Sequence, residues 1–157
     1  MQILIHPLQP RDMQDTIRVI TRGIHISQKS IYSAKLRKIL IQKYTLEKFR
    51  KKAQEVSYLI AKIDQEIVGV IGLKGHEVRT FFVDPDYQGK GVERALYNEL
   101  ELTARKQGLN KLIVDASPLG EPIYIKLGFT KKGTKTKEYD GGTFTDAYME
   151  KELNKED

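Results

Sequence analysis

Two apolar runs, VSYLIAKI (Val56–Ile63) and IVGVIGL (Ile67–Leu73), stand apart by the three polar residues Asp64, Gln65 and Glu66. Both are rich in β-branched residues, and the polar break between them reads as a turn, so the pair is a hairpin. A third run, EVRTFFV (Glu77–Val83), follows a second short break and ends at Asp84-Pro85. Pro85 has no amide hydrogen with which to extend a ladder. The next segment, Gly91 to Lys106, has helical spacing, with Val92, Ala95, Leu96, Leu100 and Ala104 on one face and Gly108 as its stop. KLIVDAS (Lys111–Ser117) is again a strand. Strand, helix and strand between Val78 and Ala116 demand one parallel crossover, so the sheet is mixed.

The flanks complete the order. Ile3–Leu8 reads as a first strand. A helix opens at Pro10 and Asp12 and carries Met13, Ile17, Ile20 and Ile24. A second helical region begins near Ser30, and Thr45 has the character of an N-cap for a short helix with Leu46 and Phe49. After the central elements, Pro118–Leu127 reads as a short helix stopped by Gly128, and a hairpin folds around Asp140, Gly141 and Gly142. The fold class is α+β: a mixed, mostly antiparallel sheet flanked by helices, in the order β-α-α-β-β-β-α-β-α-β-β. A chain of 157 residues without linker or repeat is expected to be one domain, 1–157.

Composition narrows the chemistry. No cysteine is present, which removes disulfides, thiolate metal sites and a cysteine nucleophile, and fits a cytoplasmic location. His6, His25 and His76 have no metal-ligand spacing, so no metal is expected. No apolar run reaches the roughly 18 residues of a membrane span. The net charge of +6 is uneven: Lys29 to Lys52 holds nine basic residues and one acid, Glu47. Such a segment is a solvated helix face, a wall that attracts an acidic ligand, or a nucleic-acid surface. Against nucleic acid stand the sparse aromatics there, Tyr32 and Tyr44, and the lack of a helix-turn-helix.

The turn QGKG (Gln88–Gly91) directly precedes the central helix. A helix N-terminus carries unpaired amides and partial positive charge, and a glycine-rich approach lets an anion reach them. Lys90 and Arg94 add cations beside it. The pattern is neither a Walker loop nor a dinucleotide fingerprint. A plain turn into a helix is the competing reading.

VDPDYQGKGVERAL (Val83–Leu96) resembles the coenzyme A motif of GNAT-type N-acetyltransferases, Q/R-x-x-G-x-G/A preceded by V-x-P-x-Y. VDAS followed by EPIYIKLGF is similar to that family's later strand and helix, and IVGVIGL and DAYMEKEL match in order. The resemblance implies acetyl-CoA as co-substrate and an amine as acceptor. Gln88, Gly89, Lys90, Gly91, Val92, Glu93 and Arg94 would surround the pyrophosphate. Phe82 and Val83 would pair their backbone with the pantetheine amides, and Ser117 would lie nearby. Tyr124 falls where many members place the acid that protonates the leaving sulfur, and Glu77 where some place a general base. The motif departs from the family at Glu93, usually Gly or Ala; its side chain either swings to solvent, the expected outcome because Gln88 and both turn glycines remain, or weakens coenzyme binding.

The chemistry needs a neutral amine, although a lysine-type amine has a pKa of about 10.4, so a base helps. The carbonyl oxygen gains charge, which the Val83 amide is placed to stabilise. The expected activity is N-acetyl transfer; a non-catalytic acyl-CoA sensor is the alternative. The basic segment leads us to expect an acceptor that carries a carboxylate or phosphate beside its amine. Oligomeric state is open, a homodimer included.

Overall fold

The first reversal sets the sheet. In the computed structural model, which describes residues 1–153, Asp64 and Gln65 both take positive φ, 50° and 70°. Two such residues form the type I′ turn, whose twist matches that of the strands it joins. β1 (Leu4–Pro7) lies antiparallel to β2 (Ser57–Ile63), which pairs with β3 (Glu66–Lys74), and β3 pairs with β4 (Glu77–Val83).

Three helices separate β1 from β2: α1 (Met13–Ile26), α2 (Ala34–Ile41) and α3 (Leu46–Lys52). The sequence allows two or three helices there, the third being the short one capped by Thr45, and its second region starts too early. Ser27–Ser30 makes a 3-10 turn; the cap is Ser33, whose Oγ accepts the Leu36 N–H at 3.1 Å. Thr45 caps α3 as expected, accepting from Lys48 N–H at 3.2 Å.

After β4 come α4 (Val92–Lys106), β5 (Lys111–Ala116), α5 (Gly120–Lys126), β6 (Thr130–Tyr139) and β7 (Gly142–Glu152). α5 begins two residues later than the sequence reading, because Ser117 Oγ accepts the Gly120 N–H at 3.2 Å and uses Pro118 and Leu119 for a turn. The sheet order is β1-β2-β3-β4-β5-β7-β6, so β7 lies between β5 and β6. β6 forms an edge bearing Lys131, Lys132, Lys135 and Lys137, charges that discourage edge-to-edge pairing.

Each face of the sheet has its own core. Val92, Leu96, Leu100 and Ala104 of α4 recur at helical spacing and bury against Val68, Ile71 and Leu112. Val19, Ile20 and Ile24 of α1 and Phe49 of α3 pack on Tyr58, Ile60 and Val70. Burying one leucine is worth about 1.5–3 kcal/mol, against about 0–1 kcal/mol for a surface ion pair. The apolar faces therefore fix where the helices sit, and the surface charges only decorate them. Among the described residues, no helix is long and apolar enough to cross a membrane.

Candidate active site

β4 and β5 are the parallel pair, and they are joined by one bridge, Glu77 opposite Ile113, supported by the Ile113 N–H to His76 O at 2.9 Å. Past that bridge the two strands share no further pairing among the described residues. A bulge lies just there. Val70 faces Phe82 and Gly72 faces Arg79, so Ile71 opposes both Thr80 and Phe81. Thr80 takes φ +53°, a costly conformation for a β-branched residue. Bulges bend strands, and β4 leaves β5 at this point. The opening holds a cavity of about 510 Å³ reached by both strands, α1 and α5.

One end of the cavity meets the glycine turn. Asp84 Oδ1 accepts the Asp86 N–H at 2.9 Å, and Arg22 of α1 reaches Asp84 at 3.4 Å and Asp86 at 3.1 Å. These contacts pin the loop in front of α4. Gln88 Nε2 donates to Val83 O at 3.4 Å. Gly89 and Gly91 take φ of 75° and 86°, and a Cβ on either would meet nothing within 4 Å. They are glycines for the left-handed backbone, and the space before the first amides of α4 is open. Lys90 is exposed on the turn. Arg94 is partly committed, donating to Lys126 O at 3.5 Å.

Two features of β4 suit a ligand that continues from the turn. The Asp84 N–H bonds Val68 O, so Val83, one residue back, turns its N–H and C=O away from β3 and toward the opening. Phe82 alternates the other way and offers the cavity its ring. An open set of helix amides beside an unpaired strand edge fits a pyrophosphate joined to an extended, amide-bearing arm, the architecture of coenzyme A.

The Glu93 expectation is corrected. Its side chain lines the cavity instead of swinging to solvent, and burial raises its carboxyl pKa. The helix holds it there: Val92 and Leu96 must face the core, and Glu93, one residue on, is carried to the cavity rim.

Tyr124 also lines the cavity. Its ring is buried edge-on against Phe129 at 5.2 Å and Phe81 at 5.9 Å, and its hydroxyl has no hydrogen bond among the described residues. Burial pushes its pKa well above the ordinary tyrosine value, so the phenol keeps its proton. Ser117 lines the same cavity at the start of the α5 turn. Glu77 stands at the bridge, outside the cavity lining, with Oε1 3.1 Å from Arg79 Nη2.

Several lining residues escaped the sequence reading. Tyr44 reaches Thr80 Oγ1 at 3.2 Å and carries Lys52 Nζ 5.4 Å from its ring centre. Gly23 lets the Phe82 ring approach α1 so closely that a Cβ would lie 2.5 Å from Phe82 Cδ1. Gln28 buries Oε1 with no partner. Asp115 lines the cavity from β5. Only Gly23 had a local sign, since glycine inside a helix costs about 1 kcal/mol relative to alanine.

Comparison with known proteins agrees with this geometry. Residues 25–153 match the model of the acetyltransferase (GNAT) domain. An uncharacterized N-acetyltransferase of Escherichia coli K12, YafP, is 28% identical over 147 residues, covering 94% of each chain. A GCN5-related N-acetyltransferase structure from Rhodopseudomonas palustris superposes with TM-score 0.91 at 26% identity, covering 98% of this chain and 97% of that one. The PaiA N-acetyltransferase of Thermoplasma acidophilum, solved with coenzyme A, gives TM-score 0.78 at 26% identity over 98% of this chain and 100% of its own. The chain belongs to the GNAT family of N-acetyltransferases, enzymes that take their acetyl group from acetyl-CoA.

Proposed function

We propose that this chain, acting as one domain, acetylates a primary amine on an acceptor that also carries a carboxylate or phosphate. The observation that carries the acceptor class is the set of cations around Tyr44. Tyr44 lines the cavity and Lys52 sits over its ring just outside the lining; the Lys52 pKa is lowered by burial and then by the neighbouring charges of Lys43, Arg79, Lys48 and Lys74. Two of these have carboxylate partners, Lys74 with Glu55 and Arg79 with Glu77. The rest crowd like charges together, an arrangement that an anionic ligand relieves. The basic segment thus divides, for Lys35 turns to Asp140 at 3.6 Å, away from Tyr44.

In this reading Gln88 to Arg94 hold the pyrophosphate through the amides of the turn and the first turn of α4. Glu93 lies alongside as a repulsive neighbour. Val83 pairs with the pantetheine, with the Phe82 ring and Ser117 beside it. Bound acetyl-CoA supplies an activated thioester. The Val83 N–H faces the opening, where it stabilises charge on the carbonyl oxygen. Tyr124 holds a proton at Oη for the departing sulfur.

Coenzyme A thiol release over an acceptor panel tests the proposal. β-Alanine, taurine and phosphoethanolamine should outperform ethylamine and spermidine. Their apparent KM should rise with salt, since exposed charges are screened beyond about 8 Å at physiological ionic strength. Spermidine as the best acceptor, with a salt-independent KM, would sink the anionic class.

A further inference from the structure

On the sheet face away from Tyr124, β5, β6 and β7 bring four charges together. Leu112, Val114 and Ala116 belong to the core shared with Tyr124, so alternation sends Asp115 to the other face. There it lines the cavity, with its side chain 16% exposed. Its Oδ1 lies 3.4 Å from Lys135 Nζ and its Oδ2 3.3 Å from Lys137 Nζ. Lys137 also reaches Asp146 of β7 at 3.4 Å, and Asp146 Oδ1 is buried with no hydrogen-bond partner. Arg79 of β4 and Tyr148 of β7 complete the charged and titratable surroundings of Asp115.

Resting on the acetyl-transfer reading above, we infer that Asp115 seats the ammonium of the acceptor and takes its proton. The two lysines mark this carboxylate as one that already accommodates ammonium groups. Both are long, and their side chains are about half exposed, so they can withdraw to water at little cost. Lys137 has a second seat in Asp146, whose spare oxygen lacks a partner. An incoming ammonium therefore replaces a lysine at Asp115 without stranding a buried charge. Glu77 has no such vacancy, since Arg79 holds it at the bridge. The cavity then has two chemical ends on the acceptor side, cations around Tyr44 for the anion and Asp115 for the amine.

The protons balance. One N–H proton moves from the ammonium to Asp115 and from there to water. The nitrogen lone pair forms the C–N bond as the C–S bond breaks. Tyr124 gives its proton to the departing sulfur and regains one from the second N–H. The net products are the amide, the free thiol and one proton.

The first test is binding, read by ligand-observed NMR with coenzyme A present. β-Alanine and propionate differ by the ammonium. The wild-type protein should prefer β-alanine by roughly tenfold, the scale of one charge-assisted hydrogen bond, and Asp115→Asn should lose that preference while binding propionate and coenzyme A as before. A wild type without preference, or a variant that keeps it, overturns the seat. Preference lost in the variant, with no thiol released by the wild type, keeps the seat and sinks transfer to this acceptor class. The second test is a pH profile of thiol release with β-alanine. The deficit of Asp115→Asn should close by about tenfold per pH unit as bulk base neutralises the amine below its pKa. A deficit that is constant with pH removes the proton role. Glu77→Gln made in parallel, with the larger loss and the same recovery, would move that role to Glu77.

Discussion

The two ends of the cavity are built by different means. The coenzyme end comes from one continuous stretch, Phe82 to Arg94, and works through backbone: left-handed glycines, first-turn amides and the edge of β4 at Val83. The acceptor end is made of side chains delivered by separate elements, α1, β4, β5 and the 3-10 turn that carries Tyr44, so its residues come from distant parts of the chain. A site made of backbone needs particular residue types at fixed local spacing. A site made of side chains needs only that the fold deliver them, and many sequences achieve that. The coenzyme end is therefore expected to resist variation that the acceptor end accepts.

The largest expected effect lies between the two ends. Tyr124→Phe keeps the ring that packs on Phe81 and Phe129 and removes the hydroxyl. Turnover should fall by roughly 10²-fold or more, the scale of a general acid, with acetyl-CoA affinity nearly unchanged. Rates and calorimetry on one preparation decide it, and full turnover would leave Tyr124 as packing. At the coenzyme end, Gly91→Asp has room for its Cβ, so folding survives with a left-handed penalty of about 1–2 kcal/mol. Acetyl-CoA affinity should drop at least tenfold, about 1.4 kcal/mol. Unchanged affinity would remove the phosphate cradle.

At the acceptor end, Gly23→Ala sets about 1 kcal/mol of helix propensity against overpacking of about 1–3 kcal/mol. The 2.5 Å approach to Phe82 makes the clash win, so the melting temperature should fall, and acetyl-CoA affinity should fall by less than in Gly91→Asp, because the Phe82 ring shifts while the turn amides stay in place. Equal losses in both would blur the division into two ends. The smallest effect concerns Glu93. Its folded pKa is raised above 4.5 by burial, so above that value the folded chain binds more protons than the unfolded one. Wild-type stability therefore falls as pH rises from about 4.5 through the raised value, and the uncharged Glu93→Gln protein lacks that fall. Melting curves should favour Glu93→Gln at neutral pH and converge near pH 4; parallel curves would show Glu93 to be solvated.

The legibility of the sequence followed the same division. Strand order, the crossover, the glycine turn and the short helix that carries Tyr124 were readable because alternation, helical spacing and turn residues are local. The start of α2 was misplaced because Ser30 and Ser33 are equally good caps until α2 docks on α1. Glu93 was misjudged because which flank of a helix meets a cavity is set by the opposite wall, here β4 and β5. The bulge at Thr80 left no mark, since threonine is an ordinary strand residue. Asp115 looked like the polar half of an alternating strand, and only the gap beside β4 makes it a lining residue.

The single bridge between Glu77 and Ile113 also divides the order in which the molecule assembles. The hairpins β2–β3, β3–β4 and β6–β7 close through two-residue turns and form on the scale of about 1–10 μs. Joining β4 to β5 must instead close the whole of α4 and its loops, a slower and entropically costlier event. β6 has no neighbour until β7 is made, and β5 has only its one bridge until β7 arrives on its other side. On a ribosome, the four-stranded half can settle while α4 is still emerging, and the other half of the sheet is completed only when the last strand enters between β5 and β6.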